Sequence, residues 1–301
     1  MTPARNLVLA RVGRDSLHPR WLDPGTPRGW DLRLVPYQEI PAQDECDCIV
    51  GDAVPGPKWS GIREALHAWD GWRDYDYVWI PDDDILATQQ TITRMFEVAR
   101  AVGLELFAPA LSADSHYAHF ITMENRRFHG RWVGFVEIMV PGFSARTLER
   151  LLPTLDLTAT GWGWGLDSVW PKLLGYQDLG IIDSTPVLHT RPVGRMRDPE
   201  LAERVLAESD AMLSRYDCRQ THVTFGGFGA DLEPIDLRPE ELLAEVVEGY
   251  RYLIERDPRL LSWIADFQRP GDGWPEYPVE GTPEAGTARG GRSTVMSQVG
   301  S

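Results

Sequence analysis

The chain has 301 residues and a formal net charge of −15 at pH 7. That length allows a sizeable core in one large domain or in one domain with an appendage. The negative charge argues against nucleic acid as a partner, because a phosphate backbone is bound by a basic surface. Small molecules that carry phosphate can still bind such a protein if a bound cation makes the local charge of the binding site positive.

The sequence shows no sign of a membrane segment or of secretion. No apolar run approaches the roughly 20 residues that span a bilayer, and the apolar start at residues 7–10 is interrupted by Arg11 too early for a signal sequence. Three cysteines fit a reducing compartment. Cys46 and Cys48 lack the second pair that zinc sites usually need, so we interpret them as strand residues. We expect a cytoplasmic protein without a membrane span.

Strand-like and helix-like segments alternate through the first two-thirds of the chain. A helix is predicted where Ile62, Leu66 and Trp69 fall at spacings of four and three, and a second helix is predicted to end at Gly103. Strands are predicted over residues 6–12, 31–37, 48–51, 78–81 and 104–108. This rhythm predicts a mostly parallel sheet with helices on both faces, in which ligands bind beyond the carboxyl ends of the strands.

Three consecutive carboxylates, Asp82, Asp83 and Asp84, end the apolar run 75–81. In an extended backbone alternate side chains share a side, so we expect Asp82 and Asp84 to converge and Asp83 to face away. Two carboxylates that close repel each other unless a cation neutralises them, and hard oxygen ligands suit Mg²⁺ or Mn²⁺. The alternative is a solvated acidic turn.

Downstream, Asp167 follows the segment Gly161-Trp162-Gly163-Trp164-Gly165. Glycines let a backbone and a ligand approach closely, and the faces of Trp162 and Trp164 suit the apolar side of a sugar ring. Asp167 could instead cap the helix that follows it. A further apolar run, residues 181–188, then ends at His189.

The last third of the chain has a different pattern. Residues 198–268 contain helical apolar stripes joined by turns with proline, and we interpret them as a helical C-terminal appendage with residues 221–232 as a Gly-rich connection. Residues 269–301 are rich in Gly, Pro, Ser and Thr, which predicts a disordered tail. The sheet domain is therefore expected over residues 1–197.

Together, the acidic triplet, the Gly-Trp segment and the run that ends at His189 resemble the GT-A glycosyltransferases. The phrases Tyr-Val-Trp-Ile-Pro-Asp-Asp-Asp (77–84) and Gly-Trp-Gly-Leu-Asp (163–167), together with residues 135–144, are similar to a family of plant and bacterial domains of unassigned function thought to share this fold. The resemblance covers about residues 5–195. It implies a GT-A-like, mostly parallel central sheet flanked by helices.

The resemblance also implies an activity. It predicts a metal-dependent transferase that moves a sugar from a nucleotide diphosphate donor to a hydroxyl of a glycan or another acceptor, with inversion. Asp82, Asp84 and His189 would hold Mn²⁺ or Mg²⁺, and the nitrogen ligand favours Mn²⁺. The alternative for His189 is a core histidine at a strand end.

The acceptor hydroxyl must lose a proton, and a nearby carboxylate would serve as its general base. The resemblance implies Asp167 for this role. Glu137 is the rival, because a lone acid in the apolar run 133–140 is costly to bury without a purpose or a partner. A salt bridge from Glu137 to Arg131 or Arg146 is the structural alternative.

Donor binding is expected at the ends of the early strands and at the Gly-Trp segment. The residues that the resemblance implies for it are Arg11, Gly13, Asp52, Lys58, Arg63, Asp83, Trp162 and Trp164. The basic residues of this set could equally be surface charges. Two other functions stay open: a catalytically silent domain that binds nucleotide sugars or glycans, and a metal-dependent phosphoesterase, which usually needs more His and Asp ligands.

Overall fold

The computed structural model describes residues 5–43, 47–193, 196 and 198–268. The strands are β1 (Asn6–Val12), β2 (Trp30–Pro36), β3 (Ile49–Val50), β4 (Tyr77–Trp79), β5 (Ile85–Leu86), β6 (Leu106–Leu111), β7 (Gly130–Val133), β8 (Gly142–Ser144), β9 (Leu179–His189) and β10 (Thr224–Phe228). The α-helices are α1 (Lys58–Ala68), α2 (Gln89–Val102), α3 (Ala145–Leu151), α4 (Leu166–Leu173), α5 (Pro199–Arg215), α6 (Pro239–Gly249), α7 (Arg251–Arg256) and α8 (Arg259–Gln268).

The central sheet has the strand order β10-β7-β9-β6-β8-β4-β1-β2-β3. β1 is parallel to β2 and β4, β2 is parallel to β3, and β6 is parallel to β9, whereas β8 runs antiparallel between β4 and β6. The predicted α/β architecture with a mostly parallel sheet is confirmed. Because β1, β4, β6 and β9 run the same way, their carboxyl ends meet at one edge, where α/β sheets bind ligands.

The second predicted helix is confirmed as α2, and local sequence signals determine both of its ends. The Thr88 side chain accepts a hydrogen bond from the Thr91 amide at 3.0 Å, which caps the start of α2. Gly103 ends the helix with a φ of 77°, a conformation that glycine adopts without strain. The apolar face between these caps, including Ile92 and Phe96, is buried in the core. The helix is therefore determined by its own periodicity and its caps.

The Gly-rich connection predicted over residues 221–232 is wrong, because it contains β10, which pairs antiparallel with β7. A Cβ at Gly227 would lie 2.2 Å from the Phe128 ring, so the glycine lets this ring lie directly on the strand. Two consecutive glycines interrupt the alternation of side chains by which a strand is recognised in a sequence. The predicted tail, residues 269–301, lies outside the described residues. Within the described part of the chain, no helix combines the length and apolarity needed to cross a bilayer.

The prediction of strand residues around Cys48 needs correction. Cys48 lies in a bend just before β3, and it is disulfide-bonded, which the expectation of three reduced cysteines did not include. Cys46 lies outside the described residues. Cys218 is a free thiol whose pKa is raised to about 11 by burial. Burial therefore keeps the Cys218 thiol in its unreactive protonated form.

A buried charge pair attaches the C-terminal helices to the sheet. Arg131 on β7 is fully buried and donates to Asp183 on β9 through Nε at 2.8 Å and through Nη2 at 2.9 Å. Arg131 also donates to the Tyr250 hydroxyl, which follows α6, and that hydroxyl donates to the Ile121 carbonyl at 3.2 Å. A paired and hydrogen-bonded charge is tolerated in a core, whereas an unpaired one is not. The predicted appendage is thus joined to the sheet through this cluster.

Candidate active site

The acidic triplet forms a turn at the carboxyl edge of the sheet. β4 ends at Trp79, and Asp83 and Asp84 lie in the turn that leads into β5. The extended backbone predicted for the triplet is therefore wrong, because the alternation of side chains holds only within a strand, but Asp82 and Asp84 are still close enough for their charges to interact. The three carboxylates instead contact three different groups of partners.

Asp84 pairs with His189 because β5 is antiparallel to β9, with Ile85 opposite His189. Asp84 Oδ2 lies 3.2 Å from His189 Nε2, and His189 Nδ1 lies 2.7 Å from the His116 carbonyl oxygen. A carbonyl only accepts, so Nδ1 carries a proton and Nε2 faces the carboxylate. Burial opposes charge on both side chains, but their mutual attraction dominates: the pKa of His189 is raised and that of Asp84 is lowered.

The other oxygen of Asp84 makes this pair suitable for a divalent cation. Asp84 Oδ1 is buried and has no hydrogen-bond partner among the described residues. A carboxylate oxygen beside an imidazole whose second nitrogen is held by a carbonyl is a donor set typical of metal sites. No group of three or more His, Cys, Asp or Glu residues that could hold a metal exists within the described chain.

Asp82 is paired with Lys58, the first residue of α1. Lys58 Nζ lies 2.7 Å from Asp82 Oδ1 and also donates to the carbonyls of Ile138 at 2.8 Å and Met139 at 2.7 Å. Burial lowers the pKa of Lys58, and burial raises the pKa of Asp82 against the attraction of the ammonium group. Lys58 thus joins the start of α1 to the acidic turn and to the segment that carries Glu137.

Asp83 joins three strand ends below the turn. Its Oδ2 accepts from the Gly13 amide and from the Tyr37 hydroxyl, both at 2.9 Å, and its Oδ1 lies 3.3 Å from Arg191 Nη1. Burial and the neighbouring Asp83 raise the pKa of Tyr37 to about 12. Tyr37 and Arg191 were not among the predicted site residues. Only their positions in the sequence could have indicated them, since Tyr37 directly follows β2 and Arg191 lies just beyond the end of β9.

Glu137 is buried beside this turn with only 8% of its surface exposed. The salt bridge predicted as its structural alternative is wrong, because Arg131 pairs with Asp183 and Arg146 pairs with Glu105. Glu137 belongs to none of the ion pairs among the described residues, and its Oε2 is buried there without a hydrogen-bond partner. Burial, reinforced by nearby acidic groups, raises the pKa of Glu137 to about 8.

Asp167 lies close enough to Glu137 for their charges to interact. It is the second residue of α4, whose N-cap is Gly165 with a φ of 98°, so the predicted capping role is wrong. The Ser168 hydroxyl donates to Asp167 Oδ1 at 3.1 Å. Burial raises the pKa of Asp167 to about 7. Two neighbouring buried carboxyls with raised pKa values are a common arrangement at catalytic sites, where they share protons.

The Gly-Trp segment packs against the start of α1, next to Lys58. The Gly161 carbonyl accepts from the Trp59 amide at 3.0 Å, and a Cβ at Gly163 would lie 2.4 Å from Trp59 Cδ1. The three glycines of the segment have φ values of 75°, 76° and 98°, which favour glycine. Trp162 remains 38% exposed, although the glycines on either side of it are buried.

The contacts and exposure of the other residues predicted for donor binding differ from those of Lys58 and Asp83. Arg11 is buried and donates to the carbonyls of Val35 at 3.3 Å, Pro36 at 3.2 Å and Gly56 at 2.7 Å, so it supports the loops below the site. Asp52 is exposed after β3, and Trp164 is half-buried. Arg63 pairs with Asp156 at 3.6 Å. The structure brings Gly13, Lys58 and Asp83 together at the turn.

No protein-family model and no curated protein matches the chain. Among solved structures, S. aureus TarS 1-349 superposes with a TM-score of 0.47 at 8% identity, over 85% of this chain and 73% of that one. The same protein in complex with UDP superposes with a TM-score of 0.45 at 10% identity, over 88% of both chains. Its complex with UDP-GlcNAc has a TM-score of 0.45 at 9% identity, again over 88% of each. The function of this chain is therefore inferred from its own site.

Proposed function

We propose that this chain is a glycosyltransferase that moves a sugar from a nucleoside diphosphate to the hydroxyl group of an acceptor. The observation that carries the proposal is the pair of buried carboxyls, Asp167 and Glu137, next to the Asp84–His189 pair. The first pair can take up a proton, and the second can bind a cation on a diphosphate. A metal-dependent sugar transfer with a general base uses both functions at one place, and both pairs lie at the carboxyl edge of the sheet.

Asp167 is the proposed general base. With a pKa of about 7 it is deprotonated in a substantial fraction at neutral pH and still basic enough to accept a proton. It would take the proton of the acceptor hydroxyl while the acceptor oxygen forms a bond to the anomeric carbon. The bond from that carbon to the phosphate oxygen breaks, and its electron pair stays on the diphosphate. Attack opposite the leaving group inverts the anomeric configuration.

Glu137 is proposed to be the protonated partner of Asp167. Burial, and then repulsion by Asp167 and Asp82, raise its pKa to about 8, which keeps it mostly neutral at pH 7. A neutral Glu137 leaves the negative charge on Asp167. Its Oε2, which has no hydrogen-bond partner among the described residues, can also form a hydrogen bond with a sugar hydroxyl.

Asp84 and His189 would hold Mn²⁺ or Mg²⁺, and the imidazole nitrogen favours Mn²⁺. When bound, such a cation stabilises the negative charge that develops on the leaving diphosphate. Asp82, the third predicted ligand, is engaged by Lys58. Arg191 is 44% exposed and adds positive charge beside Asp83 at the same edge. The exposed indole of Trp162 favours a carbohydrate as the acceptor, because an indole can stack on a sugar ring.

A thermal-shift screen of UDP, GDP, CDP and TDP, each with and without Mn²⁺, tests the proposal first. A ligand that binds only the native state raises the melting temperature, so the stabilising nucleotide identifies the donor class. Sugar released from the corresponding donor by water would then show turnover. The proposal predicts a cation-dependent shift and turnover, and it is contradicted if no nucleotide stabilises the protein. Stabilisation without turnover, even with a broad set of acceptors, would favour the silent binding domain.

A further inference from the structure

Lys58 places a half-buried ammonium group, with 15% of the side chain exposed, within the acidic site. Its three hydrogen bonds go to one carboxylate oxygen, on Asp82, and to two consecutive backbone carbonyls, on Ile138 and Met139. An ammonium group has three donors, so all of them are used. Lys58 is also close enough to attract the carboxylate of Asp84, and that of Glu137 when Glu137 is ionised. The site therefore contains its own positive charge at the place where a cation would approach.

We infer that Lys58 is an internal counter-ion that makes divalent-cation binding depend on the nucleoside diphosphate. This inference rests on the proposed donor site. While Lys58 holds Asp82, the described part of the site offers a free cation Asp84 and His189 as ligands, and the ammonium group of Lys58 repels that cation. A diphosphate supplies further oxygen ligands and negative charge, which overcome both obstacles. By linkage, the cation then strengthens nucleotide binding by the same factor as the nucleotide strengthens cation binding.

The three contacts of Lys58 explain why position 58 is a lysine in a chain whose basic residues are mostly arginine. The ammonium group is a compact point charge with rotatable donors, so it can reach Asp82 and two adjacent carbonyls at once. The planar fork of an arginine cannot direct its donors in this way. Lys58→Arg would keep the charge and lose part of the hydrogen bonding, whereas Lys58→Met would keep the length of the side chain and lose the charge.

The experiment measures the affinity for Mn²⁺ alone, by electron paramagnetic resonance of the free ion, with no nucleotide present. Lys58→Met should bind Mn²⁺ roughly 10-fold or more tightly than the wild type, because it releases Asp82 and removes a repelling charge. Lys58→Arg should stay within about 3-fold of the wild type, since the charge is kept. Lys172→Met, the same change at the exposed lysine of α4, is the matched control and should leave Mn²⁺ affinity unchanged.

Asp82→Asn gives a second test that does not depend on the folding of Lys58→Met. If Lys58 holds Asp82 in the free protein, this variant should change the affinity for Mn²⁺ alone by less than about 3-fold, whereas loss of a true ligand costs about 10-fold or more. The inference would be overturned if folded Lys58→Met bound Mn²⁺ no more tightly than the wild type. It would also be overturned by a 10-fold loss of Mn²⁺ affinity in Asp82→Asn, or if neither the wild type nor Lys58→Met bound Mn²⁺ at 10 mM. These assays contain no nucleotide, so failure of the nucleotide screen, which concerns the proposed function, is a separate result.

Discussion

His189 Nε2 lies 3.2 Å from Asp84 Oδ2, across the junction between the acidic turn and the end of β9. The contact is supported by the backbone, because the amide and hydroxyl of Thr190 donate to the Asp84 carbonyl at 3.1 and 2.8 Å. The pairing of β5 with β9 fixes both chain segments. The proposed cation ligands are thus positioned before any ligand binds, which reduces the conformational entropy lost on binding.

Asp84→Ala should abolish the cation dependence of nucleotide binding and leave the fold intact. The substitution removes one proposed ligand and the buried oxygen that has no partner in the described chain. Nucleotide affinity in the presence of Mn²⁺ should fall at least about 10-fold by titration calorimetry. Asp114→Ala is the matched control, because that carboxylate is 89% exposed. Undiminished Mn²⁺-dependent affinity in Asp84→Ala would show that the cation site is elsewhere.

Asp167→Asn should lower the transfer rate by roughly 10²-fold or more, with donor affinity nearly unchanged, because the amide cannot accept the proton. The rate is measured at saturating donor, or as donor hydrolysis until an acceptor is known. Glu137→Gln is the matched control and should retain more activity, since Glu137 is mostly neutral at pH 7. If Asp167→Asn kept a near-normal transfer rate and Glu137→Gln lost most of it, Glu137 would be the general base.

The buried acid Glu137 should make stability depend on pH. Burial raises its pKa from 4.5 to about 8, so between these values the folded protein holds a proton that the unfolded chain has lost. Stability from this group is complete below about pH 4.5 and is lost as pH rises through 8, by up to about 1.4 kcal/mol per pH unit. Glu137→Gln should flatten the fall in the urea midpoint between pH 5 and pH 7.5. A slope equal to the wild type would mean that Glu137 is ionised in the native state.

Gly163→Ala should destabilise the protein by roughly 1–3 kcal/mol, because the new methyl group would meet Trp59 at 2.4 Å and the backbone has a φ of 76°. Gly175→Ala separates the two causes, since its φ of 65° is similar and no atom lies within 4 Å of its Cβ. Only the backbone cost, about 1 kcal/mol, is expected there. Urea unfolding measures both variants. If both variants lost the same free energy of unfolding, the contact with Trp59 would contribute nothing to the destabilisation.

Much of the sheet domain could be predicted from the sequence because its signals are local. The buried run at residues 6–12 forms β1, the apolar spacing of Ile62 and Leu66 marks α1, and Ser144 caps α3 through the Thr147 amide at 3.2 Å. These features depend on residues a few positions apart, so periodicity and capping determine them. The order of strands and helices then places the acidic triplet at the carboxyl edge of the sheet, and this too was predictable.

Only the tertiary structure decided which partner each carboxylate of the site has. Asp82 contacts Lys58, Asp83 contacts Tyr37, and Glu137 shares its surroundings with Asp167, although each pair is separated by many residues in the chain. Charge and burial at these positions depend on packing between distant segments, and no local pattern encodes that packing. Residue types and order therefore determined where the acidic groups lie. The folded contacts decided which of them are paired, which are neutral and which remain available to a ligand.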